Sequence, residues 1–317
     1  MPQYLLGRLG QALFVLWAAF TVTFVILYIL PGDPILIMLD ARGEGLMMDA
    51  SEIAELRAQY GFDKPVIVQY LVRLWHAMQG DFGMSIQLNE AVTGVIARAV
   101  PETLKLASLA MLIALVAGFL LACIATYTRR PWLRDALLSM PALGVSVPVF
   151  WVGLLLLQFF SFRFALFPAM GNSGFVSLVL PAVTLAIPTA AGFAQLLAKS
   201  LLASWNQPYV TTALGKGARP LRVHLRHALP NALIPALTMI GMSVGNLLAG
   251  SVVTETVFSR VGIGRLTEQA VKAQDVPMVQ GLVVLSTLIF VLANLAVDLL
   301  YPLVDPRIAR SGRRASR

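Results

Sequence analysis

The stretch from Thr103 to Arg130 reads TLKLASLAMLIALVAGFLLACIATYTRR: one lysine near its start, then an apolar run that closes on two arginines. A helix that crosses the roughly 30 Å hydrocarbon core of a bilayer needs about 20 mostly apolar residues, and Thr103–Thr128 supplies them. Five other stretches meet the same test: Leu9–Leu30, Ala136–Phe160, Leu178–Ala198, Ala232–Val253 and Gln280–Tyr301. Of the 317 residues 58% are hydrophobic and 13% charged, whereas soluble domains hold about a quarter charged residues. The chain reads as an all-α integral membrane protein of six transmembrane helices. Its first run ends in Pro31-Gly32-Asp33-Pro34 without a small-residue cleavage site, so it is expected to be a retained span rather than a signal peptide.

Six spans put both termini on one side, and the basic residues say which, because short cytoplasmic loops retain Lys and Arg. Arg8, Arg129, Arg130, Arg134, Lys199, Lys216, Arg219, Arg222, Arg226, Arg307, Arg310, Arg313, Arg314 and Arg317 fall on one side. These 14 stand against 4 in the short loops opposite, Arg163, Arg260, Arg265 and Lys272. Residues 1–8 and the basic tail 303–317 are therefore expected in the cytoplasm, with the 31–102 loop outside and residues 103–302 as the transmembrane core. This topology accounts for the net charge of +8, and no nucleic-acid partner is expected. Cys123 is the only cysteine, which excludes an internal disulfide and a cysteine metal cluster.

The outer loop has helix signals of its own. Ser51 is placed to cap a short amphipathic run that stops at Gly61. A second helix follows, with Asp63 as cap, Pro65 in its first turn, and Val66, Tyr70, Leu71, Leu74, Trp75 and Met78 at helical spacing until Gly80. The apolar faces need cover, from the membrane interface or the helix bundle, or from an external partner that docks there. His76 has no neighbouring ligands in sequence and reads as a solvated or hydrogen-bonded histidine.

Within the spans, Pro141, Pro148, Pro181, Pro188 and Pro235 each remove a helical hydrogen bond and can kink their helices. Gly241, Gly245 and Ala249 form a small-residue line suited to close helix packing, and Ser243 and Asn246 beside it suit the border of a solute path. Asp298, near the cytoplasmic end of the sixth span with Asn294 one turn before it, is expected to pair with a neighbouring basic loop rather than carry protons. No G-x-x-x-x-G-K-[ST] phosphate loop occurs, and Val261-Gly262-Ile263-Gly264 follows no strand. His224 and His227 lack a third ligand, and no Ser, His and acid set can be assembled on one side of the membrane. An enzyme is disfavoured, and no metal or cofactor is expected on this chain.

The largest internal cytoplasmic loop, about 203–231, contains YVTTALGKGARPLRVHLRHALP from Tyr209 to Pro230. Its spacing resembles the EAA loop of ABC importer permeases: Glu-Ala-Ala, three residues, Gly, nine residues, then Ile-x-Leu-Pro. Ala213, Gly217, Leu229 and Pro230 agree, while Thr211 and Thr212 replace the Glu and first Ala, and His227 replaces the Ile. With Lys216, Arg226-His227-Ala228-Leu229 and Asn231-Ala232-Leu233-Ile234-Pro235, the loop looks like the variant found in the peptide/nickel permease family. Leu30-Pro31-Gly32-Asp33-Pro34, Phe62-Asp63-Lys64-Pro65 and Gly80-Asp81-Phe82-Gly83-x-Ser85 resemble the outer loop of that family's first permease. Thr254-Glu255-Thr256-Val257-Phe258, Val297-Asp298-Leu299-Leu300-Tyr301 and Asp305-Pro306-Arg307 resemble its last third.

The resemblance implies a type I ABC importer permease architecture, with a small helical periplasmic region and a cytoplasmic coupling helix, in a bacterial or archaeal inner membrane. It implies a second homologous permease, two cytoplasmic ATPase subunits that hold ATP and Mg, and a periplasmic or lipid-anchored solute-binding protein. The solute is a short peptide or, alternatively, a nickel or other metal chelate. On this chain the ATPase-coupling residues are expected to be Thr211, Thr212, Ala213, Leu214, Lys216, Gly217, Arg219, Pro220, Leu221, Leu229 and Pro230. A short amphipathic helix around Ala213–Arg226, broken near Gly217 and Pro220, would present Leu214, Leu221 and Leu225 to a groove on the partner. A basic helix resting on anionic lipid is the other reading of the same charges. Phe150, Trp151, Met242, Ser243 and Asn246 are candidates for the translocation path. A stand-alone carrier or channel, acting without ATPases, is the alternative of a different class, and the lack of mid-membrane charge counts against it.

Overall fold

In the computed structural model the described residues are 2–29, 39, 49–59 and 62–304. Expectations on Leu30 to Pro34, on Gly61, on the tail from Asp305 onward and on the side chain of Asp298 lie outside them. The named elements are all helices: α1 (Pro2–Phe24, continued by a π-helical turn Val25–Ile29), α2 (Ala50–Gln59), α3 (Val66–Met78), α4 (Val92–Tyr127) and α5 (Pro131–Ser146). Then come α6 (Val149–Leu156, continued by a π-turn Leu157–Arg163), α7 (Val176–Trp205), α8 (Pro208–Gly215) and α9 (Pro220–Val223, continued by a π-turn His224–Ala228). Last are α10 (Leu229–Val257), α11 (Ile263–Lys272) and α12 (Val276–Val304). Among the described residues 4 helices, in α1, α4, α7 and α12, are long and apolar enough to cross a membrane, and the bent pairs α5–α6 and α9–α10 make up to 6. The chain divides into two compact units, Met1–Thr103 with Val261–Val291 and Leu104–Arg260 with Leu292–Arg317.

In the first unit, α2 is capped by Asp49 and not by Ser51. The Asp49 carbonyl accepts the Ile53 N–H at 3.1 Å, and the Glu52 carboxylate accepts the Asp49 N–H at 3.2 Å. The back-bond from Glu52 needs an acid three residues after the capping residue, which Ser51, followed by Ala54, lacks. Asp63 likewise does not cap α3: Pro65 occupies the cap position, and the Gln69 amide ties the entry by donating to Lys64 O at 2.7 Å and Phe62 O at 3.4 Å. Tyr70, Leu74 and Ala77 of α3 pack on Phe20, Phe24 and Tyr28 of α1. The Tyr70 hydroxyl lies 2.9 Å from Thr21 Oγ1, and the Arg73 guanidinium stands 4.4 Å over the Tyr28 ring. The expected apolar set of α3 is thus divided, because Val66, Leu71, Trp75 and Met78 remain exposed.

The Gly80-to-Ser85 motif is a tight turn. Asp81 accepts the Gly83 N–H at 2.8 Å and faces His76 Nδ1 at 3.1 Å, so His76 is hydrogen-bonded, and the Gly83 carbonyl accepts the Val92 N–H. The turn delivers Ser85, whose hydroxyl donates to Asp275; that buried carboxylate also accepts the Gln87 N–H at 3.1 Å and caps α12 through the Met278 N–H at 3.2 Å. From here α4 starts at Val92, well before the expected Thr103. Val92, Val95, Ile96 and Ala99 share a face packed against Ile263, Ala270, Met278, Val279 and Leu282, and this packing carries the helix through Pro101. Thr103 in turn accepts the Ile263 N–H at 2.7 Å and caps α11.

In the second unit, α7 is the most enclosed span, 61% buried over its apolar window, and runs through Pro181 and Pro188 without a break. The third span is not one helix. It breaks at Val147-Pro148 and turns through 98° between α5 and α6. Proline disfavours the helical region for the residue before it, and Val147 is extended at φ −86° and ψ 129°. The helix that carries the fifth span begins before the span's expected start at Ala232, since α9, its π-turn and α10 follow one another without interruption from Pro220 and bend by 44° between Ala236 and Thr238. On α10 a Cβ at Gly241 would meet Asn294 Oδ1 at 3.0 Å and Val297 Cγ2 at 3.4 Å, so the small residue serves close packing with α12. Arg260, counted from sequence as a loop charge, is enclosed at 2% exposure. Its Nη1 donates to Gly171 O at 3.0 Å and to Ser177 O and Ser177 Oγ, both at 3.1 Å.

Replacing Asp275 by Ala leaves two buried donors, the Ser85 hydroxyl and the Met278 N–H, facing no acceptor, and the expected loss is about 2–4 kcal/mol. Ser85→Ala, which removes only one donor, is expected to cost less. Thermal denaturation of the purified variants checks both; an Asp275→Ala protein as stable as the parent contradicts the assignment.

Candidate functional site

The Tyr209–Pro230 stretch is helical and is broken near Gly217 and Pro220, as expected for Ala213–Arg226. It folds as two pieces, α8 and α9 with its π-turn, separated by Lys216–Arg219. Proline opens each piece: Pro208 after an extended Gln207 and Pro220 after an extended Arg219. The Thr211 and Thr212 hydroxyls fold back onto the Pro208 carbonyl at 2.8 and 2.9 Å. These threonines therefore satisfy an acceptor of their own helix in place of projecting an acidic group.

Between the pieces, the Ala218 N–H donates to Ala213 O at 3.1 Å and the Gly217 N–H to Leu214 O at 2.9 Å. This pair of bonds is the Schellman arrangement that closes a helix C-terminus with a left-handed residue. Gly217 is that residue, at φ +83°, and a Cβ there would meet nothing within 4 Å. The demand on Gly217 is thus for backbone conformation and not for space.

The site exposes Leu214 on α8 and Leu221 and Leu225 one turn apart past the break, with Lys216, Arg219, Arg222, Arg226 and His227 exposed around them. Pro230 is exposed on α10, while Leu229 turns inward against the cluster of Ala122, Phe193, Leu197 and Leu201. Ala213 and Pro220 are half-buried. The chain thereby presents three leucines in a basic surround, held from beneath by Val210, Val223 and Ala228, all buried.

His224 has a role that its sequence neighbours gave no sign of. It is buried under the loop, accepts the Trp205 indole N–H at Nδ1 at 2.8 Å, and packs 5.7 Å from the Tyr127 ring. That bond puts the imidazole proton on Nε2, which has no hydrogen-bond partner among the described residues. Burial pushes the pKa of His224 below its ordinary value, so the neutral form that accepts from Trp205 is favoured. The contact joins the ends of α4 and α7 to the π-turn, and residues so far apart in sequence carry no local signal for it.

Of the path candidates, Met242 and Asn246 lie one turn apart on an exposed face of α10, and Phe150 and Trp151 are each 50% exposed at the start of α6. Ser243 is buried and donates to Met239 O at 2.8 Å within its own helix, so it does not line an open surface here. Among the described residues no group of three or more His, Cys, Asp or Glu side chains could hold a metal ion.

Residues 108–310 match the family described as binding-protein-dependent transport system inner membrane component, and residues 1–107 match its N-terminal membrane component. A Brucella abortus (strain 2308) protein named as a peptide transport system permease is 35% identical over 316 residues, covering 97% of this chain and 99% of that protein. The dipeptide transport system permease protein DppB of Escherichia coli K12 is 33% identical over 339 residues, with 97% and 99% covered. Among solved structures, an inward-facing form of the MetNI methionine ABC transporter is similar in fold, with a TM-score of 0.56 at 20% identity. It covers 67% of this chain and 96% of that one.

Two substitutions test the geometry. Gly217→Ala places a Cβ in the left-handed region at about 1–2 kcal/mol, whereas Gly217→Asn tolerates it better. Amide exchange at Ala218 should accelerate about tenfold or more in the alanine variant and less in the asparagine variant; equal protection in all three proteins would count against the closure. Trp205→Phe leaves His224 Nδ1 buried without its donor and should lower stability by about 1–3 kcal/mol. Thermal melts that coincide with the parent would remove the Trp205–His224 bond from the structural account.

Proposed function

The chain belongs to the binding-protein-dependent transport system inner membrane components, and from that membership we propose that it is the permease subunit of an ATP-driven importer of short peptides. The observation that carries the solute class is the match, over 97% of the chain, to relatives named as peptide and dipeptide permeases. An external binding protein delivers the peptide, a second permease completes the path, and two cytoplasmic ATPases hydrolyse ATP. The chain lies in an inner membrane with both termini cytoplasmic, as its 14 basic residues on one side and 4 in the short loops opposite favour.

The α8–α9 surface is the docking element for an ATPase. Leu214, Leu221 and Leu225 fill an apolar groove on the partner, and the surrounding cations orient the contact. The closed helix end at Gly217 makes the two pieces move together, and α9 passes the motion into α10 with no loop between them. Met242 and Asn246 on α10, with Phe150 and Trp151 on α6, border the path.

The test is isolation of the tagged chain from native membranes, followed by reconstitution with its binding protein and a radiolabelled dipeptide. ATPase subunits should copurify in stoichiometric amount, and uptake should need both ATP and binding protein. Leu221→Asp with Leu225→Asp should leave the chain in the membrane and abolish ATPase recovery. Uptake by this polypeptide alone, without ATPases, would replace the proposal with a stand-alone carrier.

A further inference from the structure

Around the axis of α3 the side chains sort into three sectors. Tyr70, Leu74 and Ala77 face α1. On one flank, Gln69, Arg73 and His76 line a cavity of mixed polarity together with Lys64, Asp81 and Phe82. On the other flank Ile67, Leu71, Trp75 and Met78 are 74%, 57%, 61% and 72% exposed, and none is charged. A helix whose ionisable side chains lie on one flank and whose large apolar side chains lie on the other has the polarity of a helix that rests in a membrane interface.

We propose that the Ile67–Leu71–Trp75–Met78 flank is seated in the leaflet bordering the outer loop, covered by phospholipid acyl chains. The occupant follows from what α3 is docked on. Tyr70 bonds Thr21 and packs on Phe20 and Phe24, all within the α1 stretch that is apolar and long enough to cross a membrane. The flank beside that contact shares the surroundings of α1, whose apolar stretch is only 17% buried within the chain and is on this proposal covered by lipid. The exposed apolar residues Val22, Val25 and Ile26 continue the same kind of surface along α1. With 13 residues, α3 is too short to span, since crossing takes about 20. Trp75 is the residue type that settles at the headgroup boundary.

The test uses the assembled transporter in nanodiscs of phosphatidylethanolamine and phosphatidylglycerol, in a Cys123→Ser background. Nitroxide labels are placed singly at Ile67→Cys, Leu71→Cys, Trp75→Cys and, on the opposite flank, His76→Cys. Power saturation compares collisions with oxygen, which partitions into lipid, and with a water-soluble nickel chelate. Oxygen should dominate at the first three positions and the chelate at His76→Cys, an alternation that also reports an intact helix. Chelate access at Ile67, Leu71 and Trp75 would overturn the proposal in favour of a solvated face. Exclusion of both reagents with an immobilised spectrum would overturn it in favour of a protein cover.

Discussion

A hydrocarbon interior offers no partner to a backbone N–H or C=O, so each segment that enters it must close its hydrogen bonds within itself. That constraint makes every interruption of a helix in this chain an event that needs compensation. Pro181 and Pro188 lie within α7, which stays continuous because most of its surface is enclosed by neighbours. Pro101 is carried by the contacts of Val92, Val95, Ile96 and Ala99. At Pro148 the helix opens and redirects by 98°. In sequence these prolines look alike; the difference lies in what each helix is packed against.

The spans were readable because their signal is local: an apolar run of sufficient length, closed by charge or by a breaker. Gly217 was readable in the same way, since its place four residues after Ala213 marked the loop, and the structure supplied the reason in a left-handed helix end. The caps of α2 and α3 were misread by two residues each. At α2 the acid that completes the cap, Glu52, points back to Asp49, and at α3 Pro65 stands at the cap position while the Gln69 amide donates to the Lys64 carbonyl.

What the sequence did not disclose are bonds between distant residues. Ser85 meets Asp275, Trp205 meets His224, and Arg260 gathers Gly171 and Ser177. Each joins a polar group to a partner that only the fold brings near, and each is buried, where an unmet donor or acceptor costs most. Arg260 was counted as a charge in a short loop, and its place between two helices agrees with that, but its guanidinium is enclosed and bonded to carbonyl and hydroxyl oxygens.

Arg219, Arg222 and Arg226 stand on the surface from which α9 runs into α10. On the proposed topology, the positive charges that hold the loop back from translocation during insertion also surround the exposed leucines of the mature protein. One set of side chains is therefore under two selections, acting at different times in the life of the molecule. If this surface docks an ATPase as proposed, exchanging these arginines for acids would change the contact and the topology together. On the same proposal Leu214, Leu221 and Leu225 carry no such double duty, and the freedom to suit different partners at one orientation rests with them.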